Sequence, residues 1–516
     1  MWDIQHPLAE VSEGDEYPLT WVEVALIDLD DDIQQELDDK LELLDPVDGA
    51  VSSDPLTAEL GARIRYCVQY RPADDSLEHW VEYVRTGVRV PRVHREMLQA
   101  IIIDRADPLQ LRVEGAFRAL AASQDADRLI DAIGSFGEDI GEATDTLAQG
   151  EAVRSALEAM SKNGATFALG VDQKRFVEGV GFVAEDGSIS GLLRAIRPTL
   201  DIDDAGALPL TSHGSTTPAV LAIVEALAAS RMDHRIVIID DFGDSLDSAS
   251  TDFMARLLSR SRNQIWLSSR RAEALGAFEP EHLIRLTRHS GALAVHQLAP
   301  TNDRRERVSR RYLPPILSGA MSSRTLILVE GPHDLEGYAA LDRKRLADDS
   351  KVPLSARGAQ IVAASTTGGD GGKSRLPILA RLGVSLGFEV RVVVDSDKPG
   401  EDEDLINELV DVCDLVIVLP MRTAVERALV RGLPAETLRS VLDQLNEEHD
   451  LGLDLESVDD GDLEKVLVKA LKQKGGLHRL YVPLLPKGEH PPIALDVLNA
   501  LKAPLPTTTR IDISEP

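Results

Sequence analysis

The chain has 516 residues, 43% of them hydrophobic, which is enough for two or three globular domains. It carries 87 Asp and Glu residues against 55 Lys and Arg residues, a formal net charge of -32. This acidity argues against a protein that coats nucleic acid non-specifically, so any contact with DNA must be local.

Cysteine usage and the N-terminal sequence indicate a reducing compartment. Cys67 and Cys413 are the only cysteines and lie far apart, which argues against a disulfide scaffold or a structural zinc site. Residues 1–19 lack the basic region and apolar run of a signal peptide. No stretch reaches the ~18 apolar residues of a membrane span. We therefore expect a cytoplasmic protein that makes no contact with a membrane.

The first 300 residues predict strands, then helices, then an α/β region. Residues 1–92 contain β-type segments at 22–27 and 63–70. From 93 to 165, apolar residues recur every three or four positions, which predicts a helical insertion or arm. Between 166 and 300, helices and strands alternate, with strands expected at 235–239 and 264–267. An α/β fold class follows for this region.

An acidic pair follows the predicted strand in the run RIVIIDDFGDSLD, residues 235–247. Its order resembles the Walker B motif and D-loop of ABC-type ATPases. The resemblance implies magnesium binding by Asp240, a catalytic position at Asp241 and a dimer contact at Asp247. Upstream, LPLTSHGSTTP resembles a degenerate ABC signature, with Ser212 and Gly214 just before a helix whose N-terminus could face phosphate. An ABC-type domain further implies a homodimer.

The ATPase-like region departs from the ABC pattern in three respects. No GxxxxGK[ST] precedes Asp240, so the β- and γ-phosphates lack their cradle and lysine. Asp241 stands where these ATPases usually have Glu, and Arg270 stands where they have a His that senses the γ-phosphate. Either the chain starts downstream of the missing segment, which we favour slightly, or this half has become a scaffold. We do not expect ATP hydrolysis by the chain as written, although ATP binding stays open.

A basic linker is predicted at 301–323, where TNDRRERVSRRYL concentrates positive charge. On a helix, Arg304, Arg307 and Arg311 share one face, with Arg310 adjacent and Arg305 nearby. In so acidic a chain this cluster is a candidate strip for DNA phosphates. A solvated helix face that pairs with the abundant acids explains it equally well.

The last predicted domain, 324–516, places carboxylates at the ends of strands. RTLILV, QIVAA, EVRVVV and DLVIVL are apolar runs separated by helical segments, which predicts a parallel sheet. Glu330 follows the first run, and Asp334 lies on the next helix. Asp395 and Asp397 follow the third run, on the same side of an extended segment. Carboxyl ends of parallel strands meet at one edge, and acids gathered there favour one or two divalent cations.

This set resembles the TOPRIM domain of topoisomerases, bacterial primases and OLD-family nucleases. The resemblance rests on Glu330 in VEG, the turn Gly368–Gly369, and the DSD motif. VEGPHD and LPMRTAVERAL, which contains Glu426, are similar to the OLD form, an ABC-type ATPase fused to a TOPRIM domain. The resemblance to the OLD form implies a two-metal DNA endonuclease that uses Mg²⁺ or Mn²⁺. Its metal ligands would be Glu330, Asp334, Asp395, Asp397 and Glu426. A role in phage defence or DNA repair, with an accessory helicase or defence partner, is also implied.

Two further features of this domain stay ambiguous. OLD nucleases carry a functional Lys late in the domain, and Lys487 or His490 is the candidate, although a solvated loop charge explains them as well. The loop TTGGDGGKSRL imitates a P-loop at Gly372, Lys373 and Ser374, but Thr367 stands where the motif requires Gly. We favour a TOPRIM turn over nucleotide binding.

Two alternatives to a nuclease remain open. A TOPRIM topoisomerase needs a nucleophilic Tyr on a DNA-gating domain, and a primase commonly has a zinc module; the sequence shows neither. The chain could instead be a catalytically inactive scaffold that binds DNA and recruits a nuclease. DNA binding without nicking would favour this second alternative.

Overall fold

The computed structural model describes residues 19–71, 76–98, 101–103, 108–111, 116–138, 146–183, 197–202, 206–233, 236–261, 263–289, 292–310, 316–365, 372–396, 402–449, 451–473 and 476–515. Elements are numbered in chain order among these residues. Two compact units are present, one of residues 1–101 with 230–237 and one of residues 102–229 with 238–516. This division is coarser than the five domains expected from the sequence, whose boundaries stay predictions.

The first unit is an antiparallel sheet with two short helices. Its strands and helices are β1 (Thr20–Leu26), β2 (Glu42–Leu44), β3 (Glu59–Arg71), β4 (Ser76–Tyr83), α1 (Asp31–Glu36) and α2 (Arg92–Met97). The long strand β3 pairs with the other three strands. The core of the unit is formed by Leu37, Leu41, Ala62, Tyr83 and Val90. The two strands predicted in this region are β1 and β3.

The middle of the chain mixes helices with short strands. The helices are α3 (Ala116–Gln124), α4 (Ala126–Glu138), α5 (Glu151–Lys162), α6 (Ala165–Leu169), α7 (Gln173–Gly179), α8 (Thr216–Asp233), α9 (Ser248–Ser259) and α10 (Ala272–Leu275). The strands are β5 (Ile101–Ile103), β6 (Gly181–Val183), β7 (Arg197–Leu200), β8 (Leu208–Pro209), β9 (Val237–Ile239), β10 (Ile265–Leu267), β11 (Ile284–His289) and β12 (Ala292–Gln297). They form sheets in the orders β10-β9-β5, β6-β7-β8 and β11-β12.

One strand of this region, β5, lies where the sequence predicted a helix. The Asp240 N–H donates to the carbonyl of Ile103 (2.9 Å), beside β9. Three successive β-branched isoleucines favour the extended conformation. The two strands predicted between 235 and 267 are present as β9 and β10.

The C-terminal region is a parallel sheet with helices on both faces. Its strands are β13 (Thr325–Val329), β14 (Ala359–Ala363), β15 (Glu389–Val394), β16 (Leu415–Val418) and β17 (Arg510–Asp512). Its helices are α12 (Pro332–Asp349), α13 (Gly372–Ser385), α14 (Glu403–Val410), α15 (Val425–Ala428), α16 (Ala435–His449), α17 (Leu463–Gln473), α18 (Leu477–Leu484) and α19 (Pro492–Lys502), and α11 (Arg304–Arg310) precedes the sheet. The strand order is β14-β13-β15-β16-β17, and all four neighbouring pairs are parallel. The parallel sheet predicted from the four apolar runs is confirmed.

Strand residues alternate between two hydrophobic cores. Leu326 and Leu328 of β13 pack in one core, and Ile327 and Val329 pack in the other. Both faces of the sheet are covered, which explains why its strands read as unbroken apolar runs rather than alternating ones. Among the described residues, no helix is both long and apolar enough to cross a bilayer.

Both cysteine thiols are buried, and we expect neither to react in the folded protein. Burial raises the pKa of Cys413 to about 12, and burial together with Glu82 raises the pKa of Cys67. Because the thiolate is the nucleophile, roughly one Cys413 in 10⁴ would be reactive at pH 8. A chromogenic disulfide reagent should therefore detect two thiols per chain only after denaturation. Rapid reaction of either thiol in the native protein would contradict this expectation.

Candidate functional site

Two acidic residues follow adjacent strands of the parallel sheet. β13 ends at Val329 and β15 ends at Val394, so Glu330 and Asp395 both lie at the carboxyl edge. From β13 the chain leads outward to β14 and then back to β15 on the other side. Such a reversal opens a crevice at the strand ends, which is where open α/β sheets bind ligands. Glu330 and Asp395 flank this crevice.

Asp334 lies in the first turn of α12 and is 6% exposed. Its Oδ2 accepts a hydrogen bond from the Gly331 N–H (3.0 Å), which caps the helix in the way an acid at the third helical position does. Burial and then the charge of Glu330 raise the pKa of Asp334 to about 7, with a further contribution from Glu426. The Gly331 hydrogen bond opposes this rise but does not cancel it. Glu330, Asp334 and Glu426 therefore lie within electrostatic reach of one another.

Glu426 joins this region because the helix that carries it packs tightly against α12. It lies in the first turn of α15 and is buried. A Cβ on Gly337 would lie 2.5 Å from Leu429 Cδ1, so the glycine allows the close approach. Glu426 Oε1 is 3.4 Å from His333 Nδ1, and its Oε2 is 3.8 Å from Lys472 Nζ.

Asp395 accepts two hydrogen bonds, one at its side chain and one at its backbone carbonyl. Its Oδ2 accepts from the Val425 N–H (3.3 Å), and its carbonyl oxygen accepts from Lys373 Nζ (2.8 Å). Burial, Asp395 and Asp334 together raise the pKa of Tyr338. The charges of both carboxyl groups thus act on the hydroxyl of the same tyrosine. Four of the five acids predicted as metal ligands are therefore gathered at one edge of the sheet.

Three residues of the predicted motif lie outside the described residues. They are Asp397 of the DSD run and the glycines Gly368 and Gly369. Their expected roles stay predictions.

The structure does not bring Lys487 to the carboxyl groups. Next to it, the Gly488 N–H donates to Asp348 Oδ2 (3.1 Å), and His490 Nε2 is 3.1 Å from Asp349 Oδ2. Both acids lie at the end of α12, whereas Asp334 lies in its first turn, and the fourteen positions from Asp334 to Asp348 correspond to about 21 Å of helix. A lysine side chain is too short to cross that distance. The structure therefore places Lys487 and His490 near the opposite end of α12 from Asp334, and the role expected of them stays a prediction.

Lys373 lies at the candidate site, beside Asp395. Its Nζ contacts the Asp395 carbonyl at 2.8 Å and Asp402 Oδ2 at 2.8 Å. The sequence placed Lys373 in a loop that imitates a P-loop, and it was set aside because the motif is incomplete. The position of Lys373 in the sequence could have indicated this. It lies at the start of a helix, and the strand after that helix is followed directly by Asp395 and Asp397.

Gly372 makes the closest approach in this region, and we expect alanine there to destabilise the fold. Its Cβ would lie 2.1 Å from the Glu330 carbonyl oxygen and 3.1 Å from Ser365 Cβ. Relieving this overlap must move the start of α13 away from β13, at a cost of about 1–3 kcal/mol. Chemical denaturation of Gly372→Ala would measure the loss. At Gly461 a Cβ meets nothing within 4 Å, so Gly461→Ala is the control. Equal stability of the two variants would contradict the expectation.

Two histidines that the sequence did not single out lie beside Glu426. The rings of His333 and His478 stack with centroids 4.5 Å apart. Burial and then His333 lower the pKa of His478 to about 3. His333, Glu426 and His478 form the one group among the described residues in which three candidate ligand atoms all lie within 4.8 Å of one another. Glu330, Asp334 and Asp395 do not meet that distance as a group.

The ATPase-like motifs also come together locally. The Ser215 hydroxyl (3.1 Å) and the Thr216 hydroxyl (3.2 Å) both donate to the Ser245 carbonyl, so the segment holding Ser212 and Gly214 contacts the D-loop-like turn. Gly214 has φ 76°, a left-handed conformation that favours glycine.

The acids of the ATPase-like region already have partners within the chain. Asp240 Oδ1 accepts from the Ser268 hydroxyl (2.5 Å). Arg270 is 3.5 Å from Asp241 Oδ1 and 2.6 Å from Asp244 Oδ2, in an exposed ion pair. Asp247 caps α9 by accepting from the Ser250 N–H (2.9 Å), and this contact lowers its pKa. Nucleotide contacts of Ser212, Gly214, Asp240, Asp241 and Asp247 stay predictions.

The predicted arginine strip is only partly available to phosphate. Arg304 and Arg307 are exposed on α11, whereas Arg310 is 4% exposed and pairs with Glu281 (2.5 Å) and Glu306 (2.6 Å). Arg310 therefore stabilises the fold through these ion pairs and is not exposed to DNA phosphates. Arg311 and the side chain of Arg305 lie outside the described residues.

Comparison with known proteins finds similar solved structures. No family model matches this chain, and no curated protein matches it. The similar solved structures include an SmcHead bound to the C-winged helix domain of ScpA, with 14% identity over 46% of this chain and 68% of that chain and a TM-score of 0.29. They also include an Smc head domain bound to the C-terminal domain of ScpA derived from Pyrococcus furiosus, with 13% identity over 46% and 72% of the two chains and a TM-score of 0.29. A third is an SMC head domain from Thermotoga maritima, with 10% identity over 46% and 75% and a TM-score of 0.21. The likeness is thus to SMC head domains over a little under half of the chain, and at these TM-scores it carries no further argument.

Proposed function

We propose that this chain is a metal-dependent endonuclease that hydrolyses phosphodiester bonds of DNA at the carboxyl edge of its parallel sheet. The supporting observation is the group of Glu330, Asp334, Asp395 and Glu426, in which burial and the neighbouring charges raise the pKa of Asp334 to about 7. Carboxylates that repel one another in this way are stabilised by a divalent cation. The proposal agrees with the resemblance of the VEG and DSD runs to the TOPRIM domain of OLD-family nucleases.

The side chains present fit hard divalent cations. Oxygen ligands from carboxylates suit Mg²⁺ and Mn²⁺. Glu330, Asp334, Asp395 and Glu426 would hold them, joined by Asp397 on the basis of the sequence. When bound, such ions supply activation of water and neutralisation of the departing oxygen.

The surrounding residues hold the carboxyl groups in position before substrate binds. The Gly331 N–H holds Asp334, and the Val425 N–H holds Asp395, so neither carboxyl group is free to rotate. Lys373 neutralises part of the negative charge by its contacts with Asp402 and the Asp395 carbonyl. Groups fixed before substrate arrives lose little entropy during the reaction.

A basic face next to Glu426 is suited to the DNA backbone. A cavity of about 380 Å³ is lined by four cations, Arg427, Lys465, Lys469 and Lys472, and by one acid, Glu464, among other residues. The three lysines lie at four- and three-residue spacing on α17, so they share one side of that helix. Lys472 also contacts Glu426 Oε2 at 3.8 Å, which connects the face to the carboxyl groups. In a chain with a net charge of -32, this concentration of cations gives DNA a local contact.

Charge reversal on this face should weaken DNA binding. We expect Lys469→Glu to lower affinity several-fold for every DNA sequence and to reduce the slope of log K against log salt by about 1. Fluorescence anisotropy of a labelled duplex at several salt concentrations would measure both effects. Lys351→Glu makes the same charge change at an exposed loop lysine and is the control. Equal salt slopes for the two variants would place the DNA elsewhere.

Nicking of a supercoiled plasmid tests the proposed activity. We expect open-circular product with Mn²⁺ or Mg²⁺, no product with a chelator, and none from the double variant Asp395→Ala, Asp397→Ala. Full activity in that double variant would refute the proposal. Protein that binds the plasmid but never nicks it with any divalent metal would identify a scaffold instead.

A further inference from the structure

Three potential metal ligands from separate elements converge beside the carboxyl groups. His333 begins α12, Glu426 begins α15 and His478 begins α18. Their nearest donor atoms all lie within 4.8 Å of one another. Convergence from positions so far apart along the chain is a property of the fold and not of a local turn.

His478 supplies an independent indication that something binds there. Its side chain is 0% exposed, and neither Nδ1 nor Nε2 has a hydrogen-bond partner. A buried polar group without a partner is costly, and native proteins rarely retain one without a reason. His478 stacks on His333, and one of its ring nitrogens lies within 4.8 Å of a nitrogen of His333 and of a carboxylate oxygen of Glu426.

We propose that His333, Glu426 and His478 bind one divalent transition-metal ion of the Zn²⁺ class. Imidazole nitrogens select zinc and its neighbours over Mg²⁺, which prefers oxygen ligands only. The His333 Nδ1 to Glu426 Oε1 distance of 3.4 Å matches the ligand-to-ligand edge of about 3.3 Å in a tetrahedral zinc site. Two histidines and one carboxylate leave a fourth position open.

This ion would be distinct from those of the proposed nuclease site and would share one ligand with it. Glu426 raises the pKa of Asp334 through its charge, so it lies beside the oxygen-only group. A cation on Glu426 would lower the negative charge facing Asp334. Lys472, which is about half exposed, faces the other oxygen of Glu426 and leaves Oε1 to the metal.

Metal titration of the full chain tests the site directly. Protein stripped with a chelator would be titrated with Co²⁺ and followed by visible absorption, and then with Zn²⁺ by equilibrium dialysis against millimolar Mg²⁺. We expect one Zn²⁺ per chain, with the cobalt spectrum of a nitrogen-containing site. His478→Ala and His333→Ala should weaken binding by more than the roughly 10- to 100-fold that loss of an outer-shell partner alone causes.

Two controls separate this site from other effects. His449→Ala removes a partly exposed histidine on α16 and should bind zinc like the parent chain. Asp395→Asn removes a carboxylate of the proposed nuclease site and should also retain zinc, so failure of one proposal does not entail failure of the other. If His478→Ala does not fold by circular dichroism, the partly exposed His333 decides the matter. Zinc binding unaffected by His333→Ala, or no zinc binding by the parent chain, would overturn the proposal.

Discussion

Asparagine at Asp395 is expected to lower the rate of plasmid nicking by roughly 10²–10³-fold, the loss typical when one preorganised electrostatic group is removed. Asp395 is 6% exposed, and its Oδ2 accepts from the Val425 N–H at 3.3 Å. Asparagine keeps the shape of the side chain and an oxygen that accepts this bond. It removes the charge that attracts a cation and replaces one carboxylate oxygen by an NH2 group.

The same substitution should leave the metal-free protein as stable as before, or make it more stable. One fewer carboxylate reduces the repulsion that Asp395 shares with its acidic neighbours. Added Mn²⁺ should raise the melting temperature of the parent chain, because a ligand that binds only the folded state stabilises it, and should raise that of the variant less. Differential scanning fluorimetry with and without metal measures both quantities.

Asp496→Asn is the matched control for this experiment. Asp496 is exposed on α19 in the same unit, and its substitution should change neither nicking nor the metal-dependent shift. A large drop in the melting temperature of metal-free Asp395→Asn would show that Asp395 supports the fold rather than a cation. Undiminished nicking by that variant would remove Asp395 from the proposed machinery.

Methionine at Arg285 is expected to destabilise the second unit by about 2–4 kcal/mol, because it leaves buried carbonyls without a donor. The guanidinium donates to the carbonyl oxygens of Met321 (3.0 Å), Ser323 (2.6 Å) and Leu386 (2.6 Å). It also lies 3.7 Å from the centroid of the Phe388 ring. These contacts connect β11 to the segments that precede β13 and β15.

Arg288 offers a matched control on the same strand. It is exposed, and Arg288→Met should change stability by no more than about 0.5 kcal/mol. Arg285→Lys should recover only part of the loss, because an ammonium group lacks the planar fork that reaches three acceptors at once. Denaturant unfolding followed by fluorescence and circular dichroism would compare the three variants. Equal midpoints for Arg285→Met and Arg288→Met would contradict the structural role given to Arg285.

The strands of the C-terminal sheet could be predicted because each one is a short apolar run. β13, β14, β15 and β16 are buried at most of their positions, so an apolar side chain is favoured at most positions. β17 was missed because its three residues, Arg510–Asp512, are mostly polar and pair only at the sheet edge. β5 was missed because, in the segments on both sides of it, apolar residues recur every three or four positions, as they do in helices.

The acids of the candidate site could be predicted because parallel topology brings strand ends to one edge. Glu330 and Asp395 follow strands that the sequence already indicates, and Asp334 follows by its position in the next helix turn. The lysine could not be assigned in this way. Lys487 lies near the end of α12 and Lys373 near its beginning, and that difference depends on how α12 and the chain around Gly488 pack.

By itself, the sequence determined that four apolar runs form strands of a parallel sheet and that acids lie at its carboxyl edge. These follow from local side-chain patterns, since apolar runs form strands and strand ends carry the polar residues. Only the tertiary structure brought His333, Glu426 and His478 together and buried both nitrogens of His478 without a partner. No local pattern relates them, because they meet through the packing of α12, α15 and α18. That packing adds a nitrogen-containing group to a site that the sequence predicted as carboxylates alone.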